Sequence, residues 1–300
     1  MNIMRCVLAC LAASLSAAGL LSADELTQKM TARVSEEAEA FQRVAIQVLA
    51  RETLQQHAIK PPKRFHPRVG KAATEPPKDE WQDRELISEY AFAAIASKLY
   101  ELRQVTSVDG RTVADAKKAQ ANLARAITTN DEARLKDALK QFEKYGLRGA
   151  VTDFGQVLML FGRREIDRYE FTTREPQTLN GVPVLVFAYQ QLDGPEVLTL
   201  VEANNRDQTL HLRISGEIWT LPETFVPLRI TVVTSEGIGP TLRREEAAVD
   251  YAMSPYGALL PTSASHRELI GGKLVTENRF TYSDFKKFGA SSGIQFEVEK

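Results

Sequence analysis

The run Val182-Pro183-Val184-Leu185-Val186-Phe187-Ala188-Tyr189-Gln190, entered through Leu179-Asn180-Gly181, decides how the C-terminal part of this chain folds. Side chains alternate across a strand, so Val184, Val186 and Ala188 lie on one side and Leu185, Phe187 and Tyr189 on the other. Both sides are apolar, and both want cover. From Arg168 onward the same period of two recurs at Tyr169 to Thr172, Val197 to Glu202, Thr209 to Ile214, Leu228 to Val233 and Ala247 to Met253. It continues at Leu259 to Glu268, Lys273 to Tyr282 and Ile294 to Val298. Turn residues separate these runs: Asp193-Gly194-Pro195, Asn204-Asn205, Pro222-Glu223, Gly237-Ile238-Gly239-Pro240, Pro255-Tyr256-Gly257 and Gly271-Gly272. Strands spaced like this make an antiparallel meander, and a strand apolar on both faces places helices in the hollow of a curved sheet.

Upstream the period changes. Leu26, Met30, Val34, Ala38, Phe41, Ala45, Val48 and Leu49 recur at spacings of three and four, which predicts an amphipathic helix over 24–58 that stops before Pro61-Pro62. Residues 59–83 read as an extended connector, rich in proline and carrying Lys60, Lys63, Arg64, Arg68, Lys71 and Lys78. Residues 84–106 read either way: Ile87, Tyr90, Ala94 and Leu99 suit a helix, whereas Leu86-x-Ser88-x-Tyr90-x-Phe92 suits a strand. Val108-Asp109-Gly110-Arg111 is a tight-turn signal that argues for strand before it. Two helices are expected next, over 114–128 and 131–145, the second opened by the capping box Thr129-x-x-Glu132 and closed by Gly146.

The first residues carry one charge, Arg5, then an apolar run from Cys6 to Leu21 that exits through Ser22-Ala23 into Asp24-Glu25. This is the pattern of a secretory signal peptide over 1–23, shorter than the roughly 20 apolar residues a spanning helix needs. Both cysteines, Cys6 and Cys10, lie inside it, so its removal takes away all thiol chemistry. Removal of the single basic residue Arg5 turns a net charge of −1 into about −2. With a pI near 6.5 and no basic stripe, nucleic acid is not an expected partner. No other segment is long and apolar enough to be a transmembrane helix.

Motifs that carry chemistry are few. His57, His66, His211 and His266 have no second histidine or cysteine at ligand spacing, so no metal and no cofactor are expected. Ser265-His266-Arg267-Glu268 sets a hydroxyl and a carboxylate beside a histidine, yet a triad is a matter of spatial geometry rather than of sequential neighbours. Gly237-Ile238-Gly239 follows an apolar strand, but Pro240 and Leu242 break the dinucleotide fingerprint. No catalytic residue is named. What remains is an aromatic set on the curved sheet, Tyr169, Phe171, Phe187, Tyr189, Trp219, Phe280 and Tyr282, which reads equally as core or as the lining of an apolar ligand site.

Three stretches resemble a family of exported proteins of uncharacterised function known mainly from acidobacterial genomes. They are Lys60 to Phe65 with Arg84 to Tyr90, then Arg103 to Arg111, and Asp250 to Gly257 running on to Phe288-Gly289-Ala290. More distantly, Phe171 to Val233, with Glu217-Ile218-Trp219 leading through Pro222-Glu223 to Pro227-Leu228-Arg229-Ile230, resembles the strand pattern of the outer-membrane lipoprotein-sorting carriers (LolA/LolB-like). The resemblance implies an incomplete antiparallel barrel, helices over its open side, and an apolar cavity for acyl chains. The helical insertion at 114–145 and the connector depart from that pattern, and no ligand-contacting residue of the carriers is matched here.

The expectation is therefore an α+β protein: an N-terminal amphipathic helix, then a single half-barrel-like domain over 84–300, its curved antiparallel sheet packed with helices in the open side. The function implied is non-enzymatic, the binding of a hydrophobic ligand, a lipid or a lipoprotein, in the periplasm or cell envelope. A rival is a regulatory module that holds another envelope protein, and a second is an enzyme with an unrecognised site.

Overall fold

The computed structural model describes residues 22–60, 79–95, 98–129, 142–145, 147, 153–192, 198–201 and 209–288. Helix α1 spans Ala23–Ala45 and α2 spans Ala116–Thr129. The strands are β1 (Val48–Ile59), β2 (Trp81–Ile95), β3 (Lys98–Val108), β4 (Arg111–Thr112), β5 (Tyr169–Thr173), β6 (Gln177–Leu179) and β7 (Val182–Gln191). They continue as β8 (Leu198–Val201), β9 (Thr209–Leu212), β10 (Ser215–Thr220), β11 (Pro227–Glu236), β12 (Arg243–Met253), β13 (Leu259–Ile270) and β14 (Lys273–Lys287).

Twelve strands form one antiparallel sheet in the order β4-β3-β2-β1-β14-β13-β12-β11-β10-β7-β5, with β6 on β7. Its end strands β4 and β5 do not pair with each other, so the barrel stays open. Strands β8 and β9, expected to continue the meander, pair instead as a separate hairpin. The last expected strand, Ile294 to Val298, the leader, and most of the 59–83 connector and the 131–145 helix lie outside the described residues.

A further expectation changes, and one open reading closes. The helix expected over 24–58 ends at Ala45, and residues 48–59 are strand β1, held between β2 and β14 near the middle of the sheet. Its inward side chains are Ala50, Glu52, Leu54, Gln56 and Ala58, so two polar residues interrupt the apolar alternation that marks a strand in sequence. The ambiguous 84–106 segment is wholly strand, β2 and β3, and the Asp109-Gly110 turn is real: both residues have positive φ (49° and 77°).

Helix α1 is capped by Ser22, whose side chain accepts from the Glu25 N–H at 3.2 Å, with Asp24 and Glu25 in its first turn. Its buried stripe, Met30, Val34, Ala38, Phe41 and Ala45, enters the main core. The helix touches β2, β13 and β5, strands far apart in the sheet order, so the sheet curls around it. Beside it runs a short strap, Asp153–Phe161, ending in a 3₁₀ turn over Val157–Phe161. Val157, Leu158 and Phe161 are buried in the same core.

Candidate functional site

The inner face of the sheet is organised in cross-strand rows, because antiparallel partners stand directly opposite one another. One row is apolar: Val249, Ala264, Phe280, Leu54 and Leu86. The rings of Phe280 and Tyr282 are stacked at 6.4 Å, and Tyr282 leans on Tyr90 at 4.9 Å. Tyr90 meets Phe92 edge-on, and Phe92 meets Phe41 of α1 in the same way. Toward β5 and β7 a second aromatic group joins Tyr169, Phe171 and Tyr189 to Phe161 of the strap. Phe187 is fully buried in the same core.

The structure thus brings together all the aromatic residues named from the sequence except Trp219. Ile218 takes the inward position on β10, so Trp219 points out, against Leu179, Val184, Val186 and Leu228. Its Nε1 donates to Glu217 at 3.0 Å, and the Arg229 guanidinium lies over its ring. The alternation along Gly216 to Thr220 carried that information.

Two buried polar clusters interrupt the apolar floor, and sequence reasoning missed the larger. Arg103 on β3 donates from Nε to both oxygens of Glu52 (2.8 and 3.0 Å), from Nη2 to Glu101 at 2.5 Å and from Nη1 to Asp153 of the strap at 3.2 Å. Glu101 in turn accepts the Gln156 N–H at 3.0 Å. Three carboxylates therefore meet one guanidinium in the interior. Burial pushes Glu101 up to about 8, Arg103 opposing the rise and Asp153 and Glu52 adding to it. Burial likewise raises Glu52 and Asp153. Beside this cluster, among the described residues, the buried hydroxyls of Tyr282 and Ser88 have no hydrogen-bond partner, and that of Tyr90 lies against Glu101 without a hydrogen bond of good geometry.

The second cluster is a ladder across four neighbouring strands. Gln56 donates to Asn278 Oδ1 at 2.7 Å, Asn278 Nδ2 stands 3.1 Å from His266 Nδ1, and His266 Nε2 stands 2.6 Å from Glu245. Glu245 also accepts from Arg243 at 2.7 Å. With the Asn278 carbonyl already taken by Gln56, its amide N–H faces Nδ1, so the imidazole carries its proton on Nε2 and donates to Glu245. Phe154 of the strap stacks on the ring at 5.0 Å. Ser265 and Arg267 point to the other face of the sheet. The sequential Ser-His-Glu grouping is therefore not a spatial one, and His266 is a buried structural link.

The strap is tied to the floor at several points. Tyr251 Oη accepts the Leu158 N–H at 3.0 Å and donates to the Gly155 carbonyl at 3.2 Å, while Ser35 of α1 donates to the Phe161 carbonyl at 2.8 Å. Gly155 presses so closely that a β-carbon there would lie 2.6 Å from Tyr90 Oη.

On the outer face, a trough of about 600 Å³ crosses β5, β7 and β10 to β13. Small residues such as Ala188, Gly216 and Ala248 line it together with charges of both signs, among them Glu170, Arg174 and Arg267. His57 also lies outside, stacked on Trp81 at 4.3 Å and 2.6 Å from Asp83. Among the described residues no cluster of side chains could hold a metal ion, and no helix is long and apolar enough to cross a membrane. His66 and the side chain of His211 lie outside the described residues.

No family model matches the sequence, and no curated protein matches it. Among solved structures the chain is similar to a domain described as an outer membrane lipoprotein-sorting protein from Vibrio parahaemolyticus, at 9% identity over 87% of this chain and 95% of that one, TM-score 0.33. It is also similar to a DUF1329 family protein from Desulfovibrio piger, at 8% identity over 86% and 92%, TM-score 0.35. A LolA superfamily protein from Nitrosomonas europaea matches at 10% identity over 86% and 94%, TM-score 0.30. At this level of overlap the reading of function rests on the geometry of this chain alone.

Proposed function

We propose that this protein is a lidded binder of acyl-bearing ligands in the cell envelope, with α1 and the strap as the lid over the inner face of the open sheet. The observation that carries the reading is the nature of the filling. An aromatic floor from Phe92 to Phe280 and Tyr189 is closed by one amphipathic helix and one short strap, neither of which pairs with a strand. A lid whose own apolar stripe substitutes for the guest keeps the floor dry until a ligand competes for it. No step of bond chemistry is needed, since His266 and the carboxylates of the Arg103 cluster are enclosed and paired.

The test is direct. Protein purified without denaturants is extracted with organic solvent, and the extract is weighed against protein by mass spectrometry. The reading expects an acyl lipid near one per chain, or uptake of one when the purified protein is mixed with micellar lipid. An extract free of lipid, together with no uptake, overturns it.

A further inference from the structure

We propose that the hydroxyls of Tyr90 and Tyr282 form the polar end of the hollow and select an acyl ligand with an uncharged head, an ester or alcohol, against one that ends in a carboxylate or phosphate. The inference rests on the lidded-binder reading and adds the chemistry of the ligand's head group.

Both phenols are buried, their rings stand 4.9 Å apart, and among the described residues neither oxygen makes a hydrogen bond of good geometry. An unmade hydrogen bond inside a protein is costly, and two side by side make a feature that a ligand could satisfy. The Tyr90 hydroxyl lies against the Glu101 carboxylate, beneath the backbone of Gly155. Burial holds both phenols well above their ordinary value, so each keeps a proton to donate. A donated hydroxyl hydrogen suits a carbonyl or alcohol oxygen.

The sign of the surroundings then decides the class. Glu52, Glu101 and Asp153 converge here against Arg103, so the local balance is negative even when one carboxyl carries a proton. An anionic head would lose its hydration and meet like charge. A neutral head loses little and gains two donors. The acyl chain has its path along Phe280, Phe92 and Leu54, next in the rows.

The experiment uses the full-length protein and two probes with the same chain, monopalmitoylglycerol and palmitate, each displacing a fluorescent apolar dye at pH 7. The glyceride should bind about tenfold more tightly. Tyr90→Phe and Tyr282→Phe should each weaken it about fivefold and leave palmitate within twofold, with the thermal midpoint unchanged or raised, because an unpartnered hydroxyl is removed. Thr220→Val, which removes another unpartnered buried hydroxyl, should leave both affinities alone. Palmitate binding as tightly as the glyceride, or Phe variants that keep the preference or melt lower, would overturn the head-group inference while the binder reading stands. If neither probe binds, the binder reading falls and takes the inference with it.

Discussion

Gly155→Ala tests the seating of the strap. A methyl group there would meet Tyr90 Oη at 2.6 Å, Glu101 Oε1 at 3.0 Å and Pro261 Cγ at 3.2 Å, where carbon contacts prefer about 3.5–4.0 Å. Tyr90 cannot step aside, since Phe92 and Tyr282 hold its ring. The strap must rise by roughly 1 Å, a shift that stretches the Gln156 N–H bond to Glu101 and the Tyr251 bond to the Gly155 carbonyl, 3.0 and 3.2 Å as they stand, past useful length. Overpacking of this kind costs about 1–3 kcal/mol and a weakened hydrogen bond about 1 kcal/mol more. At about 2–4 °C per kcal/mol for a chain of this size, the thermal midpoint should fall by roughly 4–16 °C. Circular dichroism melts of the single variants and of Gly155→Ala with Tyr90→Phe complete a cycle. Removal of Oη clears the worst contact, so the double variant should recover about 1–2 kcal/mol relative to the sum. A Gly155→Ala protein that melts with the wild type, or effects that simply add, would refute the argument.

Other predictions follow from the polar clusters. Because Glu101 titrates near 8 in the folded protein against 4.5 unfolded, the folded state holds the proton more tightly. The stabilisation is complete below about 4.5 and is lost as pH rises through 8, with Glu52 and Asp153 shifted in the same direction. Urea midpoints should therefore fall from pH 5 to pH 9, and Glu101→Gln should flatten that fall. Asn278→Ala removes the donor to His266 Nδ1 and the acceptor for Gln56, and should cost about 2–4 kcal/mol by urea melts. Long-range nitrogen–proton correlation spectra of the wild type should show His266 as the Nε2–H tautomer; the Nδ1–H form would contradict the ladder.

What the sequence revealed follows from what each strand buries. Val182 to Gln190 was legible because both of its faces are apolar. Strand β1 was not, because Glu52 and Gln56 face inward and find Arg103 and Asn278 from distant parts of the chain. The apolar residues Ala45, Val48 and Leu49, which end one element and begin the next, extended the helical spacing past its true end. The aromatic set apart from Trp219 shares one core because inward positions on a curled sheet converge, and Trp219 lies outside it because its neighbour Ile218 holds the inward position. Tyr90 was hidden in a segment that read both as helix and as strand. The Arg103 cluster gathers residues from β1, β3 and the strap, and local pattern is silent about partners that meet only after folding.

On the lidded-binder reading, the same geometry sets which end of α1 opens. Only Ile46 and Gln47 separate α1 from β1, and β1 is fixed on both sides by β2 and β14. Gln47 also bonds back to the last turn, its N–H to the Val44 carbonyl and its side chain to the Arg43 carbonyl at 2.8 Å. The Phe41 end of the helix is therefore tethered, and on the lidded-binder reading the Met30 end is the one that swings. The latch that resists the swing is Ser35 on the Phe161 carbonyl, where α1 crosses the strap. Backbone amide exchange, measured with and without monopalmitoylglycerol, should show loss of protection in the turns around Met30 and Val34, with those around Phe41 and Ala45 little changed. Ser35→Ala should raise exchange at Met30 in the absence of lipid, by about the five- to tenfold that a lost buried hydrogen bond of about 1–1.4 kcal/mol allows. Uniform exchange along α1, or opening that begins at the Phe41 end, would mean that α1 is a fixed part of the core and that any ligand enters elsewhere.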